Sequence, residues 1–163
     1  MSVEAPSQAR RYATDLCNEL GREFPPETDR ATLGLAGGTV LELTVQDETS
    51  LLLVSPLAQP QQPVPDGTWV RLLEANFLWR GSRGAVFGFD AGTPLLLQRV
   101  DAAHTSYDQF RLLAEDFLNT AATWLSVCTI PTERPADAGL MMEPDKASPR
   151  SRFYTEHPDS FTS

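Results

Sequence analysis

A helix with too much apolar surface for one small domain to hide constrains this chain more than any other feature. Residues 69–100 read WVRLLEANFLWRGSRGAVFGFDAGTPLLLQRV. The pattern predicts a helix from an Asp66 N-cap to about Trp79. A glycine-punctuated break, a strand over 85–89, a turn over 90–93 and a second strand follow. Polar side chains on the helical part are few: Arg71, Glu74, Asn76 and Arg80. A helix apolar nearly all round needs cover on both sides. The domain's own sheet can cover one side, and the other calls for a second copy or a client.

The flanking elements are marked by periodicity. Ala9, Tyr12, Ala13, Leu16, Cys17 and Leu20 recur at three-and-four spacing, so a helix is expected over 7–20, with Gly21 as C-cap and Pro25-Pro26 beyond it. A strand over 32–36 sets Leu33 and Leu35 on one face, and Gly37-Gly38 signals a two-residue hairpin. Residues 39–46 alternate, with Leu41, Leu43 and Val45 opposite Glu42, Thr44 and Gln46. After a turn, Leu51–Val54 reads as a strand covered on both faces. Pro56, Pro60, Pro63 and Pro65 mark an extended surface loop, with a polyproline ligand as the sharper alternative.

In the hairpin that follows, Ala85, Phe87 and Phe89 face one way and Val86 and Gly88 the other. Pro94 opens the last strand, where it costs no ladder bond at an edge. Leu95 and Leu97 face away from Leu96 and Val100. Ser106 caps a long closing helix carrying Tyr107, Phe110, Ala114, Phe117, Ala121, Trp124 and Cys128. The domain is therefore placed at 1–128. Residues 129–163, rich in proline, charge and serine, are expected to form a disordered tail in which Phe153-Tyr154 is the segment able to dock.

Composition narrows the partners. A net charge of −9, a pI near 4.6 and a single lysine, Lys146, argue against nucleic acid and anionic membranes, both of which need clustered cations. No run approaches the roughly 20 apolar residues that span a bilayer, and the first residues lack the basic start and apolar run of a signal peptide. A soluble cytosolic protein without membrane insertion is expected. Cys17 and Cys128 show no CxxC spacing; a disulfide stays open, with two reduced thiols the plainer expectation.

The helix–three strands–helix–two strands–helix order, with hairpin connections, predicts an α+β fold with helices packed on a twisted antiparallel sheet. Three stretches then carry a family resemblance: Leu72-Leu73-Glu74-Ala75-Asn76-Phe77-Leu78, Arg80-Gly81-Ser82-Arg83-Gly84-Ala85 and Phe87-Gly88-Phe89-Asp90. They resemble the central signature of the class I type III secretion chaperones, the Tir-chaperone (CesT/SycE-like) family. Phe110, Leu113, Phe117, Asn119, Ala122 and Trp124 resemble its closing helix, and the likeness spans roughly residues 5–128.

The resemblance implies a homodimer that keeps one or a few secreted effectors extended, soluble and export-ready, using no ATP, cofactor or metal and catalysing nothing. A secretion-apparatus ATPase is a further partner it implies. The expected groove for the effector comprises Tyr12, Leu16 and Leu20 on the first helix with Phe87, Phe89, Leu95 and Leu97 on the late hairpin. The expected dimer interface comprises Trp69, Val70, Leu73, Phe77, Leu78 and Trp79. The bland alternative for each groove residue is the monomer core.

Three other readings are weighed. A small acidic interaction or regulatory adaptor needs no further motif. An enzyme needs placed acids, bases, nucleophiles or metal ligands, yet the sole histidines, His104 and His157, look solvated and no catalytic motif occurs. An RNA-binding module is suggested only by Gly81-Ser82-Arg83-Gly84, a GxxG pattern. In an acidic chain, Arg80 and Arg83 are better read as capping the carbonyl end of the preceding helix.

Overall fold

Ser7 opens the first helix as its position predicts. Its hydroxyl accepts the Arg10 N–H at 3.2 Å, and α1 runs Gln8–Glu19. Gly21, at φ 69°, donates to the Asn18 carbonyl while Arg22 N–H reaches Cys17 O at 2.9 Å, a Schellman end that leaves no orphan turn. The computed structural model describes residues 5–60, 62–77 and 81–129, all inside a unit spanning Met1–Thr132. Leu78, Trp79, Arg80 and the stretch 130–163, with Phe153-Tyr154 and His157, lie outside the described residues.

The remaining elements are β1 (Arg30–Gly34), β2 (Val40–Val45), β3 (Ser50–Pro56), α2 (Thr68–Asn76), β4 (Val86–Asp90), β5 (Thr93–Asp101) and α3 (Tyr107–Thr129). Their order is the α+β order read from the sequence. The five strands form one sheet, β1-β2-β3-β5-β4, in which every pairing is antiparallel. Ser106 and Gln109 cap α3 reciprocally, each side chain accepting the other's backbone N–H, at 3.3 and 3.0 Å.

Period-two alternation divides the sheet. Leu41, Leu43, Leu51, Leu53, Leu96 and Val100 are buried beneath the helices, joining Phe110 and Phe117 of α3 in one core. The opposite face carries Glu42, Thr44, Leu52, Val54, Leu95 and Leu97, all of them half-buried. Leu51–Val54 is thus covered fully on one face only. Its run of four apolar residues states how much cover is wanted, not how much one chain supplies.

Several local expectations change. Strand β1 begins at Arg30, and its inward pair is Ala31 and Leu33, while Leu35 has left the strand. The β1–β2 hairpin is wider than two residues: Ala36–Gly38 forms a 3-10 turn closed by Leu35 N–H to Thr39 O at 2.8 Å. Gly67, at φ 81°, holds the N-cap position of α2 in place of Asp66. That helix stops at Asn76, short of Trp79, because Phe77 turns to extended backbone. Pro94 lies in an interior strand; its backbone turns away from Phe89 towards Leu57, just past the end of β3, so the missing N–H removes no bond from either paired strand. The loop after β3 is not wholly a surface loop, since Leu57 and Ala58 are buried and Leu57 N–H bonds Pro94 O at 2.8 Å.

Candidate functional site

Where α2 meets β4, one side chain joins them. Asn76 Oδ1 accepts the Phe87 N–H at 2.7 Å, and its Nδ2 donates to the Phe87 carbonyl at 2.9 Å. Held at that distance, helix and strand leave an apolar groove of about 420 Å³, walled by Trp69, Leu72, Leu73, Phe87 and Phe89. The Trp69 and Phe89 rings lie 5.0 Å apart, and Phe87 packs edge-on to Trp124 at 4.8 Å.

The groove opens onto the largest apolar exposure among the described residues. Leu73 and Phe89 are each 68% exposed, Phe77 67% and Val70 58%. Side chains of this size rarely gather on a monomer surface without a partner. The residues expected to meet a twin and those expected to meet a client therefore share one surface here: Phe89 of the hairpin faces the same groove as Trp69 and Leu73 of the helix.

The other expected groove residues are dispersed. Leu16 is 4% exposed, buried on the inward stripe of α1; Phe87 walls the groove but is only 6% exposed, with α3 packed behind it. Tyr12 is half-buried, stacked on Phe110 at 5.6 Å, with its hydroxyl donating to Thr105 O at 2.9 Å. Leu20 is half-buried at the end of α1. Leu95 and Leu97 lie on the opposite sheet face beside Leu52 and Val54. Arg83 does not cap α2; it pairs with Asp116 of α3 at 3.2 Å, both exposed. The GxxG segment folds as a turn into β4, with Ser82 buried.

Sequence reasoning missed a larger cavity of about 620 Å³, bounded by Gly38, Pro56, Gln59, Gln62, Leu125 and Thr129. Its signals were the Gly37-Gly38 turn and the proline-rich loop, both read as connections only. Titratable groups are structural. The Thr49 and Ser50 N–H groups hold the Asp47 carboxyl below its usual range, and the His104 ring with Ala103 N–H does so for Asp101. Burial raises the Tyr107 hydroxyl, aided by its 2.8 Å bond to Glu19, and pushes the Cys128 thiol up to about 11. Among the described residues no group of three His, Cys, Asp or Glu could hold a metal, and no helix is long and apolar enough to cross a membrane.

Residues 11–125 match the profile of the Tir chaperone protein (CesT) family, a family of chaperones rather than enzymes. None of the curated proteins matches the sequence. Among solved structures, a chain of the ExsC–ExsE complex superposes at a TM-score of 0.64 and 20% identity, covering 80% of this chain and 99% of that one. A chain of the HopA1–SchA chaperone–effector complex reaches 0.58 at 15% identity, covering 73% and 94%. A chain of the heterodimeric ExoU–SpcU complex from the type III secretion system of Pseudomonas aeruginosa reaches 0.57 at 18%, covering 71% and 97%.

Proposed function

The chain belongs to the Tir chaperone protein (CesT) family, and on that footing we propose that it is a chaperone for type III secreted effectors. Two copies together hold the extended chaperone-binding segment of an effector in the bacterial cytoplasm, soluble and export-competent. The work is done by binding alone, without ATP hydrolysis or catalysis. Delivery to the secretion-apparatus ATPase belongs to the same reading. The HopA1–SchA chaperone–effector complex among the fold's neighbours supports the choice of partner.

One observation carries the proposal: the exposed apolar patch on α2 and β4. Val70, Leu73, Phe77 and Phe89 are each more than half exposed. Fully burying one such side chain contributes about 1.5–3 kcal/mol. Each is already partly buried, so four of them against four of a twin contribute on the order of 10 kcal/mol, comparable to the entropy cost of association, which runs from about 4 to 15 kcal/mol. We assign these four, with Trp69, to the contact between copies. Tyr12, Leu20, Leu95 and Leu97, half-buried on the flanking α1 surface and the second sheet face, are left for the client.

Size-exclusion chromatography with light scattering tests the dimer. A mass of two chains at micromolar concentration is expected. A folded species of one chain under those conditions would overturn it.

A further inference from the structure

A sheet edge invites another strand, because every second residue presents an unpaired N–H and C=O. The sheet here ends in β1 on one side and β4 on the other. The two edges differ in what they still offer.

On β4, Phe87 and Phe89 point their backbone groups outward, since the intervening residues exchange bonds with β5. Both outward groups of Phe87 are taken by the Asn76 carboxamide. Ala85 N–H, two residues earlier, is taken by Ser82 O at 3.1 Å. An added strand would find Phe89 alone. On β1, Val45 N–H bonds Asp29 O and Leu35 N–H bonds Thr39 O, which fixes Ala31 and Leu33 toward β2 and turns Thr32 and Gly34 outward. Both of these are exposed, and the space beside Gly34 is open. Their N–H and C=O groups have no partner among the described residues.

We propose that Asn76 is a positioning residue that stands in for a neighbouring strand. Its carboxamide supplies one acceptor and one donor in the places where a paired backbone would supply them. It thereby fixes the α2–β4 separation that shapes the apolar groove, and it closes β4 to strand addition. The α2–β4 surface accordingly meets its partner through side chains, and β1 is the edge that an extended segment can lengthen. The last clause rests on the chaperone reading; the closure of β4 does not.

The test uses the full chain, amide exchange by NMR and light scattering. In Asn76→Ala the Phe87 amide is expected to exchange roughly tenfold faster or more, as its bond partner is gone. Asn76→Asp at neutral pH keeps an acceptor for that N–H but has no donor for the carbonyl, so Phe87 exchange is expected to stay near the parental rate. Asn76→Leu keeps the volume and neither bond, so a merely space-filling role predicts parental Phe87 exchange there, whereas loss of the bond predicts acceleration like that of Asn76→Ala. Opened at β4, Asn76→Ala is also expected to assemble beyond the parental species. Thr32→Pro, which removes an outward N–H on β1 and no ladder bond, is expected to leave that assembly intact. Unchanged Phe87 exchange in Asn76→Ala overturns the inference. So does equal acceleration in Asn76→Asp, or loss of the larger species in the Thr32→Pro double variant. Should Asn76→Ala not fold, the Asn76→Leu exchange decides alone, and parental exchange there overturns the inference. A monomeric parent would refute the proposed dimer and leave the Phe87 measurement valid.

Discussion

The Trp124 indole N–H donates to the Gly81 carbonyl at 3.0 Å, tying α3 to the turn between α2 and β4. Gly81 N–H in turn bonds Ala75 O at 3.3 Å, so one residue connects two helices. A Cβ at position 81 would lie 2.6 Å from the Ala75 Cβ and 3.3 Å from the Trp124 ring. The groove therefore has a rigid back wall, because the same Trp124 ring supports Phe87.

Gly81→Ala is expected to destabilise the fold by about 1–3 kcal/mol through overpacking. Trp124→Phe keeps a ring against Phe87 and drops the bond to Gly81, at a cost of about 1 kcal/mol for the bond itself. Urea midpoints measure both. A Gly81→Ala midpoint equal to the parent's would show that α2 and α3 can separate freely at this point.

Leu73→Asp and Phe89→Ser separate surface from core. Each replaces a residue 68% exposed, so stability of the single chain should change by only about 0.5 kcal/mol. Dimer mass in light scattering is expected to be lost. Leu16→Ala, at a position 4% exposed, should instead cost about 2–5 kcal/mol and leave the association surface intact. Phe87→Asp buries a carboxylate in the core and is expected to unfold the chain, so Phe89 is the informative position on this hairpin.

Acid should weaken the fold through two turns. Asp47 is held below the ordinary carboxyl value of 3.8 first by Thr49 N–H, and Asp101 first by the His104 ring. A folded pKa below the unfolded one gives stability that is present above the unfolded value and lost as pH falls through the folded one. The melting temperature of Asp47→Asn is expected below the parent's at pH 7, with the gap closing towards pH 3. A gap independent of pH would remove Asp47 from the acid response.

The thiols should report unfolding. Cys17 and Cys128 are fully buried, and burial raises both, Cys128 to about 11. Alkylation by iodoacetamide at pH 8 is expected only as fast as the fold opens, matching the unfolding rate at high reagent. The raised Cys128 value also implies stability that is complete below the ordinary 9.0 and declines as pH climbs towards 11. Rapid labelling of both thiols in folded protein would contradict the burial.

Much of this was legible in one dimension. The nine-residue and longer helices announce themselves by three-four spacing and by caps such as Ser7, Gly21 and Ser106. The strands announce themselves by alternation, and Leu41 and Leu43 are fully buried where that alternation places them. The surplus of apolar surface on α2 was legible too, and Val70, Leu73 and Phe77 remain exposed.

The allocation of that surplus was not legible. Periodicity says that Phe87 and Phe89 share a face; it cannot say that Trp124 covers one and leaves the other open. Nor can it say that Phe89 turns towards Trp69, so that helix and hairpin form one surface. Asn76 looks in the sequence like one polar residue among few on an apolar helix. Its role comes from a partner eleven residues away on a strand edge, a bond that exists only once α2 has docked. Local sequence determined the elements, because dihedral preference and side-chain period act over a few residues. Tertiary structure decided which apolar face stays exposed and which sheet edge stays open, because both depend on contacts between distant segments.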